Sequence, residues 1–230
     1  MTVWDRPEPP NPPVPLDREQ IIAAAIALAD EGGLAAVSVR KVAARLNAGP
    51  MRLYGYIATK DELFDLMVDA VQAEILPEEQ PGDWRKALHV LAHRTRQAAL
   101  RHVWLADLLG GRPSLGPNGL AVAEATLTAL DGLADIDTVM RAVETVSAYV
   151  TGAIRREIAN LRAERATGLS KRDWQRAHGP HLTRMLDTGR FPALTKAVYD
   201  GTEVDAETSF ATGLDWVLDA VAAQLTRPPA

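Results

Sequence analysis

Helix starts in the first third of the chain constrain its fold more than any other feature. Asp17, Ser38 and Thr59 carry side chains that cap helix N-termini, and each precedes a run of apolar residues at helical spacing. The turn at Asn47–Gly49 separates two of these runs, and Pro50 fits the first turn of a helix, where its missing N–H is not needed. These signals predict helices at about 17–31, 38–46, 50–56 and 59–76.

The remaining sequence continues with helical periodicity. It predicts helices at about 83–101, 103–109, 116–132, 137–166, 170–187 and 205–225, with a Pro/Gly-rich break at Arg112–Gly119. No stretch alternates β-branched and polar residues between paired turn signals, so we expect no sheet. The predicted fold is all-α. It has an N-terminal helix-turn-helix domain (17–76), a larger C-terminal helical domain (77–230) and a disordered, proline-rich tail (1–16).

Composition excludes several classes of protein. The chain contains no cysteine, which rules out a disulfide scaffold, a thiolate zinc site and a cysteine nucleophile. The longest unbroken apolar run, Ile21–Ala29, is too short to cross a bilayer, and no basic segment with an apolar core marks a secretory signal. We expect a cytoplasmic protein with no membrane partner.

Charge is distributed unevenly along the chain. The net charge is −5, which taken alone argues against a nucleic-acid partner. Residues 32–60 contain no Asp or Glu, however, and hold five of the 25 Lys and Arg residues. The rest of the chain therefore has 20 basic and 30 acidic residues, a net charge of −10. A local basic excess of this kind is typical of a surface that contacts nucleic acid.

The two short helices at 38–46 and 50–56 lie inside this basic stretch. Two short helices joined by a tight turn containing Gly form the helix-turn-helix layout. In such units the second helix enters the major groove of DNA, and the residues at its N-terminus reach base edges. The sequence thus predicts binding to a double-stranded DNA operator.

The same residues resemble a known family. The segments Ile22–Leu28, Gly32–Gly33, Ser38–Leu46, Leu53–Ile57 and Lys60–Leu63 are similar to the DNA-binding domain of the TetR (tetracycline-repressor-like) transcriptional regulators. More weakly, Arg101–Leu105 and Arg112–Asn118 resemble the ligand-binding and dimer-forming domain of actinobacterial members. The chain departs from the family at three positions, because it has Asn47, Tyr56 and Ile57 where the family usually has Gly, His and Phe.

Helix geometry and the resemblance together assign DNA-contacting residues. Pro50, Met51 and Arg52 occupy the first turn of the recognition helix. Arg52 is the candidate for a base edge, by a bidentate contact to guanine, with a phosphate contact as the alternative. Ser38 and Arg40 begin the preceding helix, where a hydroxyl, a guanidinium and free N–H groups can meet phosphates.

Two tyrosines and a lysine complete the predicted interface. Tyr54 and Tyr56 can touch a phosphate or a thymine methyl, and packing in the core is their alternative role. Lys60 resembles the lysine with which the family binds phosphate. We interpret Lys41 and Arg45 as solvated charges.

The C-terminal domain offers weaker signals. His102 and Trp104 stand at a helix junction before the Pro/Gly break, where they could line a cavity for a ligand, or simply pack. His89 and His93 have a spacing that can bind a metal, but the sequence supplies no convincing third ligand. We therefore predict no metal and no cofactor.

Two long helices suggest a dimer. Apolar stripes run along 137–166 and 205–225. Five small residues on the first of these helices permit close approach of helices: Ala142, Ser147, Ala148, Gly152 and Ala153. Such stripes more often form the core of one chain. The resemblance implies a homodimer in which two such helices from each subunit form a four-helix bundle.

These features predict a dimeric, ligand-responsive transcriptional regulator, and a repressor rather than an activator. It would bind a palindromic operator and leave it when a small, largely apolar effector binds the helical body. Two alternatives use the same fold. One is an all-α enzyme whose N-terminal unit is only a scaffold, although no catalytic constellation is visible. The other is an adaptor that binds a protein instead of DNA.

Overall fold

The computed structural model describes Trp4, residues 16–111 and residues 114–226. Within this part of the chain there are ten α-helices, two short 3₁₀ helices at 34–36 and 103–107, and no β-strand, which confirms the all-α prediction. The α-helices are α1 (Arg18–Gly32), α2 (Val39–Arg45), α3 (Pro50–Leu53), α4 (Lys60–Gln72), α5 (Trp84–Arg101), α6 (Pro117–Leu130), α7 (Ile136–Thr167), α8 (Lys171–Leu186), α9 (Pro192–Asp200) and α10 (Ala206–Leu225).

Helices α1–α4 form a unit that we call the head. The predicted caps are present, since the Asp17 carboxylate accepts a hydrogen bond from the Gln20 N–H at 2.7 Å and the Thr59 hydroxyl accepts one from the Glu62 N–H at 3.1 Å. Helix α1 packs against α2 and α4. The head buries a small apolar core. Its fully buried side chains include Ile21, Val42, Leu53, Ile57, Leu63 and Met67.

Helices α5–α10 form the larger unit, which we call the body. The 32-residue α7 packs most extensively against α10, and α5 and α6 cover its other side. Gly213 of α10 lets the two helices approach closely, because a Cβ atom there would lie 2.2 Å from the Tyr149 hydroxyl oxygen. That hydroxyl donates a hydrogen bond to the carbonyl of Phe210 at 2.8 Å.

The apolar stripes of α7 and α10 lie mostly inside a single chain. Their inward-facing members are buried against each other and against α5 and α6. These members are Val139, Val146, Val150, Ile154, Ile158, Phe210, Leu214, Leu218, Val221 and Leu225. The interpretation of these residues as an interface between subunits is therefore wrong for this set, because the core of one chain already uses them.

Ion pairs connect α5 to α7 and α10. The guanidinium of Arg96 is almost fully buried and makes two contacts of 2.7 Å with the carboxylate of Glu157 on α7. This bidentate hydrogen bonding raises the pKa of Arg96. On the side facing α10, His93 lies 3.2 Å from Glu207 and Arg85 lies 3.1 Å from Asp215.

Head and body meet at a buried carboxylate. Asp69 of α4 is 3% exposed and accepts hydrogen bonds from the backbone N–H of Gly119 at 2.8 Å and from the Asn118 amide at 3.0 Å. Both donors lie in the first turn of α6. Helix α4 is thereby fixed to the N-terminus of α6, where a negative charge is favourable.

Some predicted boundaries need correction. The helix expected at 50–56 is one turn long, because the chain bends after Leu53 to bury Tyr56 and Ile57. The helix expected at 103–109 is a 3₁₀ helix ending at Asp107. Helix α9 was not predicted, because Phe191 precedes it and provides no side-chain cap.

Most of the tail predicted at 1–16 lies outside the described residues. Of its members, Trp4 and Leu16 are described, and both pack against the apolar core of the protein. No helix in the described ranges has the length and apolar character needed to cross a membrane.

Candidate nucleic-acid interface

The turn between α2 and α3 fixes the geometry of the basic surface. Asn47 adopts a left-handed backbone conformation, with φ of 50°. Only glycine and a few short polar residues adopt it readily, which explains why Asn can stand where the family usually has Gly. The turn is held by a hydrogen bond from the Ala48 N–H to the Ala43 carbonyl at 2.9 Å. Pro50 follows as the first residue of α3.

Helix α3 presents its first turn to solvent. Leu53 is fully buried and anchors the helix on the head, whereas Pro50 is exposed and Met51 is 80% exposed. Arg52 is partly buried. Tyr54, just after the helix, is about half exposed. The large apolar side chain of Met51 therefore lies in solvent and is available for contact with another molecule.

The N-terminus of α2 carries a second set of polar groups. Ser38 caps the helix, and its Oγ accepts a hydrogen bond from the Lys41 N–H at 3.3 Å. The hydroxyl hydrogen remains able to donate to an outside acceptor. Arg40 is exposed in the first turn of α2. Free N–H groups and the helix dipole favour an anion at this position.

Lys60 is brought close to the start of α2 by the fold. It is the first residue of α4, and its Nζ lies 3.4 Å from the carbonyl oxygen of Leu34, in the 3₁₀ helix that leads to Ser38. The ammonium also lies 5.0 Å from the centre of the Phe64 ring. A lysine from α4 and the N-terminus of α2 therefore face one region, although 22 positions separate Lys60 from Ser38 in the sequence.

Arg45 is not a free solvated charge. It forms a bidentate ion pair with Glu31 of α1, with N–O distances of 3.0 and 2.7 Å. The hydrogen bonds from Arg45 hold the pKa of Glu31 below its ordinary value. The carboxylate that borders the acid-free stretch thus neutralises one of its five cations.

Tyr56 does not belong to the interface. It is 2% exposed, and its hydroxyl donates a hydrogen bond to the carbonyl of Leu16. The side chain ties the segment before α1 to the segment after α3, so neither the ring nor the hydroxyl can reach DNA. The prediction of a phosphate or thymine contact at Tyr56 is wrong, and core packing is its role.

The polar partners of His102 and Trp104 are acidic residues of the head. Trp104 is 1% exposed, and its Nε1–H donates to the Asp30 carboxylate of α1 at 2.7 Å. The two ring nitrogens of His102 face Asp30 at 2.9 Å and Glu74 at 3.2 Å. Both side chains are therefore used in the contact between head and body. The sequence showed no signal for their acidic partners, because Asp30 and Glu74 lie 72 and 28 positions from His102.

The other histidine pair has partners of its own. His89 lies 2.9 Å from Asp215, and His93 faces Glu207. These contacts with His89, followed by those with Arg85, hold the pKa of Asp215 below its ordinary value. Within the described residues, no cluster of three or more His, Asp or Glu side chains has the placement of a metal site.

A surface cleft opens where α6 meets α7. Its volume is about 410 Å³, and its lining combines apolar residues such as Leu127 and Val139 with the polar residues Glu124, Thr128 and Asp131. The size falls within the range of small-molecule sites. Neither of the two predicted ligand-binding residues, His102 and Trp104, lines it.

Comparison with known proteins agrees with this geometry. Residues 21–67 match the family model described as "Bacterial regulatory proteins, tetR family", and residues 76–225 match "Tetracyclin repressor-like, C-terminal domain". The chain is 38% identical over 230 aligned residues to the HTH-type transcriptional repressor DrrR1 of Streptomyces coeruleorubidus, covering 95% of this chain and 83% of the relative. It is also 38% identical over 161 residues to an HTH-type transcriptional regulator of Saccharopolyspora erythraea, covering 67% of each.

Solved structures show the same likeness. The structure is similar to apo ActR from Streptomyces coelicolor, with a TM-score of 0.78 and 28% identity over 92% of this chain and 97% of that one. It is equally similar to ActR in complex with actinorhodin, with a TM-score of 0.78 over 91% and 97% of the two chains.

Proposed function

The chain belongs to the TetR family of bacterial regulatory proteins, and on this premise we propose how it acts. It is a transcriptional regulator of the repressor type and not an enzyme. The ligand-free dimer binds a palindromic operator through its two heads, and a small effector bound in the body releases it. The observation that carries the proposal is the contact of Lys60 with the segment that leads into α2, in a head whose α3 exposes its first turn to solvent.

We assign the DNA contacts by the hydrogen bonds, apolar contacts or ion pairs that each side chain can form. Arg52 reaches a guanine edge from the first turn of α3, and the exposed Met51 packs against bases or sugars beside it. Pro50 starts the helix at a position where no backbone N–H is needed, and its exposed ring lies beside these two side chains in the sequence. The remaining contacts go to phosphate: they come from Ser38, Arg40, Tyr54 and Lys60.

The dimer is proposed to use the outward faces of α7 and α10. These faces differ from the buried stripes. On α7 they present the small residues Ser147, Ala148 and Gly152, all exposed. On α10 Trp216 is 72% exposed. Small residues permit close helix packing, and a large exposed aromatic ring is a frequent anchor of protein interfaces. A four-helix bundle of two α7 and two α10 helices covers both features.

We place the effector at the cleft between α6 and α7. ActR forms complexes with actinorhodin and with (S)-DNPA, which supports a small-molecule effector for this chain as well. The cleft has the required size, and one of its walls is α6, whose N-terminus Asp69 fixes to the head. An effector that displaces α6 therefore also displaces α4, and the shift in operator affinity is limited by its preference for one arrangement.

The two units are proposed to act as separate domains, with a boundary near residue 76. The family models support this division, since one ends at residue 67 and the other begins at residue 76. A role on the chromosome places the protein in the cytoplasm.

An electrophoretic mobility-shift titration tests the proposal. The probe is a duplex recovered from random sequences by the purified protein. We expect one shifted species that contains two chains, and binding that weakens steeply as salt rises, because phosphate contacts release counterions. Weak binding with no preference over a scrambled duplex would overturn the proposal.

A further inference from the structure

A polar joint connects the head to the body. We define it by two acidic residues of the head, Asp30 near the end of α1 and Glu74 just after α4, and by three residues of the body. These are Arg101 at the end of α5, His102 just after it and Trp104 in the 3₁₀ helix that follows. His102 is its centre: Nδ1 lies 2.9 Å from Asp30 and Nε2 lies 3.2 Å from Glu74. The imidazole side chain is only 14% exposed. Its two nitrogens thus contact two different segments of the head from one position in the body.

These two contacts define the protonation state in which the joint is complete. An ionised carboxylate can only accept hydrogen bonds, and a neutral imidazole has one N–H and one bare nitrogen. Both contacts are therefore hydrogen bonds only when His102 is an imidazolium. In the neutral form, one ring nitrogen directs a lone pair at a carboxylate oxygen, and that contact is lost.

Charged and polar groups from three elements surround the imidazole. Arg101 lies 2.6 Å from Glu74, and the Trp104 indole, which does not titrate, donates to Asp30. From α7, Arg162 binds Asp107 at 2.7 Å on the 3₁₀ helix that follows His102, and its hydrogen bonds hold the pKa of Asp107 below its ordinary value. Histidine is the side-chain type whose ordinary pKa lies between about pH 5 and pH 8, and His102 is the histidine of the joint.

We infer that His102 is a positioning residue for operator binding, and that its imidazolium form sets the orientation of the head on the body. The inference rests on the proposed function. Loss of the proton removes one of the two hydrogen bonds of the imidazole, which weakens the hold on the segment after α4 or on the end of α1 and lets the head move relative to its partner in the dimer. Because the DNA-binding arrangement holds a proton that the loosened arrangement lacks, operator affinity rises as pH falls.

The sequence offers an internal control. All five histidines lie in the body, at positions 89, 93, 102, 178 and 181, so the head contributes no histidine to the pH dependence of DNA binding. His89 also sits on α5, but its ring faces one carboxylate, Asp215, within the body. His89→Gln therefore changes a contact within the body, whereas His102→Gln makes the same substitution at the contact between body and head.

Fluorescence anisotropy with a labelled duplex, selected from random sequence by the wild-type protein, tests the inference at constant ionic strength. The wild type should bind about fivefold or more tightly at pH 6 than at pH 8. His102→Gln should show a flat profile and His89→Gln the profile of the wild type. Glu74→Gln, which removes one charged acceptor and leaves His102 in place, should reduce the pH dependence and remains informative if His102→Gln folds poorly.

Three outcomes would overturn the inference. One is a wild type that binds the duplex with the same affinity at both pH values. Another is a His102→Gln variant whose affinity changes with pH as the wild type's does. The third is a flat profile for His89→Gln as well. Failure of the wild type to bind any selected duplex at either pH would instead overturn the proposed function, and this inference with it.

Discussion

Asp69 caps helix α6 from a different helix, by accepting a hydrogen bond from the N–H of Gly119 at 2.8 Å. A helix is usually capped by the residue that precedes it. Here that residue is Gly116, which has no side chain, and a Cβ atom placed on it would lie 2.2 Å from the Asp69 Oδ1. The Asp69 carboxylate of α4 thus occupies the space that a capping side chain at Gly116 would fill, and its hydrogen bond to α6 links the head to the body.

The first prediction concerns this link. Gly116→Ala should destabilise the protein by about 1–3 kcal/mol, because the added methyl group meets a buried carboxylate that cannot easily move. Urea denaturation at a fixed protein concentration measures the change. Gly82→Ala is the control, since a Cβ atom there meets nothing within 4 Å. Equal unfolding midpoints for the two variants would show that Asp69 does not occupy this space.

Much of the head could be predicted from sequence, because its determinants are local. The caps at Asp17 and Thr59 and the turn before Pro50 each act within three residues. The burial of Tyr56 could not be predicted, because its hydroxyl binds Leu16, 40 positions away.

The same reason explains the errors in the body. His102 and Trp104 stand beside a Pro/Gly break, and nothing adjacent in sequence reveals that Asp30 of α1 is their partner. The stripes of α7 and α10 were recognised as apolar, but periodicity does not tell whether an apolar face packs within a chain or between chains. The capping role of Asp69 was missed because its hydrogen-bond donor, the N–H of Gly119 in the first turn of α6, lies 50 positions away.

The second prediction concerns base recognition. Arg52→Ala should weaken binding to the selected operator by about 1–3 kcal/mol and relax the preference at one base pair of each half-site, because a bidentate contact to guanine is lost. Anisotropy titrations on operators changed one base pair at a time measure both effects. Arg172→Ala, an exposed arginine of α8, is the control. An equal loss on every duplex would assign Arg52 to phosphate instead.

The third prediction concerns phosphate binding. Lys60→Ala should weaken binding to specific and scrambled duplexes alike, since a phosphate contact carries no base information. The slope of log affinity against log salt should fall by about one for each head. Lys196→Ala on α9 should leave the slope as it is. An unchanged slope in Lys60→Ala would remove this residue from the interface.

The fourth prediction concerns the dimer. Gly152→Arg should produce a folded monomer, because a Cβ atom at this exposed position meets nothing within one chain, whereas a long side chain there blocks close approach of a second α7. Sedimentation velocity gives the mass, and circular dichroism checks the helical content. Gly82→Arg should remain dimeric. A dimeric Gly152→Arg would move the interface away from this face of α7.

Selection of binding sites from random duplexes by the purified wild-type protein tests the central claim most directly. We predict enrichment of a two-fold symmetric sequence whose half-sites are read by the first turn of α3, because two heads related by a dimer axis present the same residues to both halves. Recovery of the input sequences without enrichment would contradict the account, as would a consensus without two-fold symmetry.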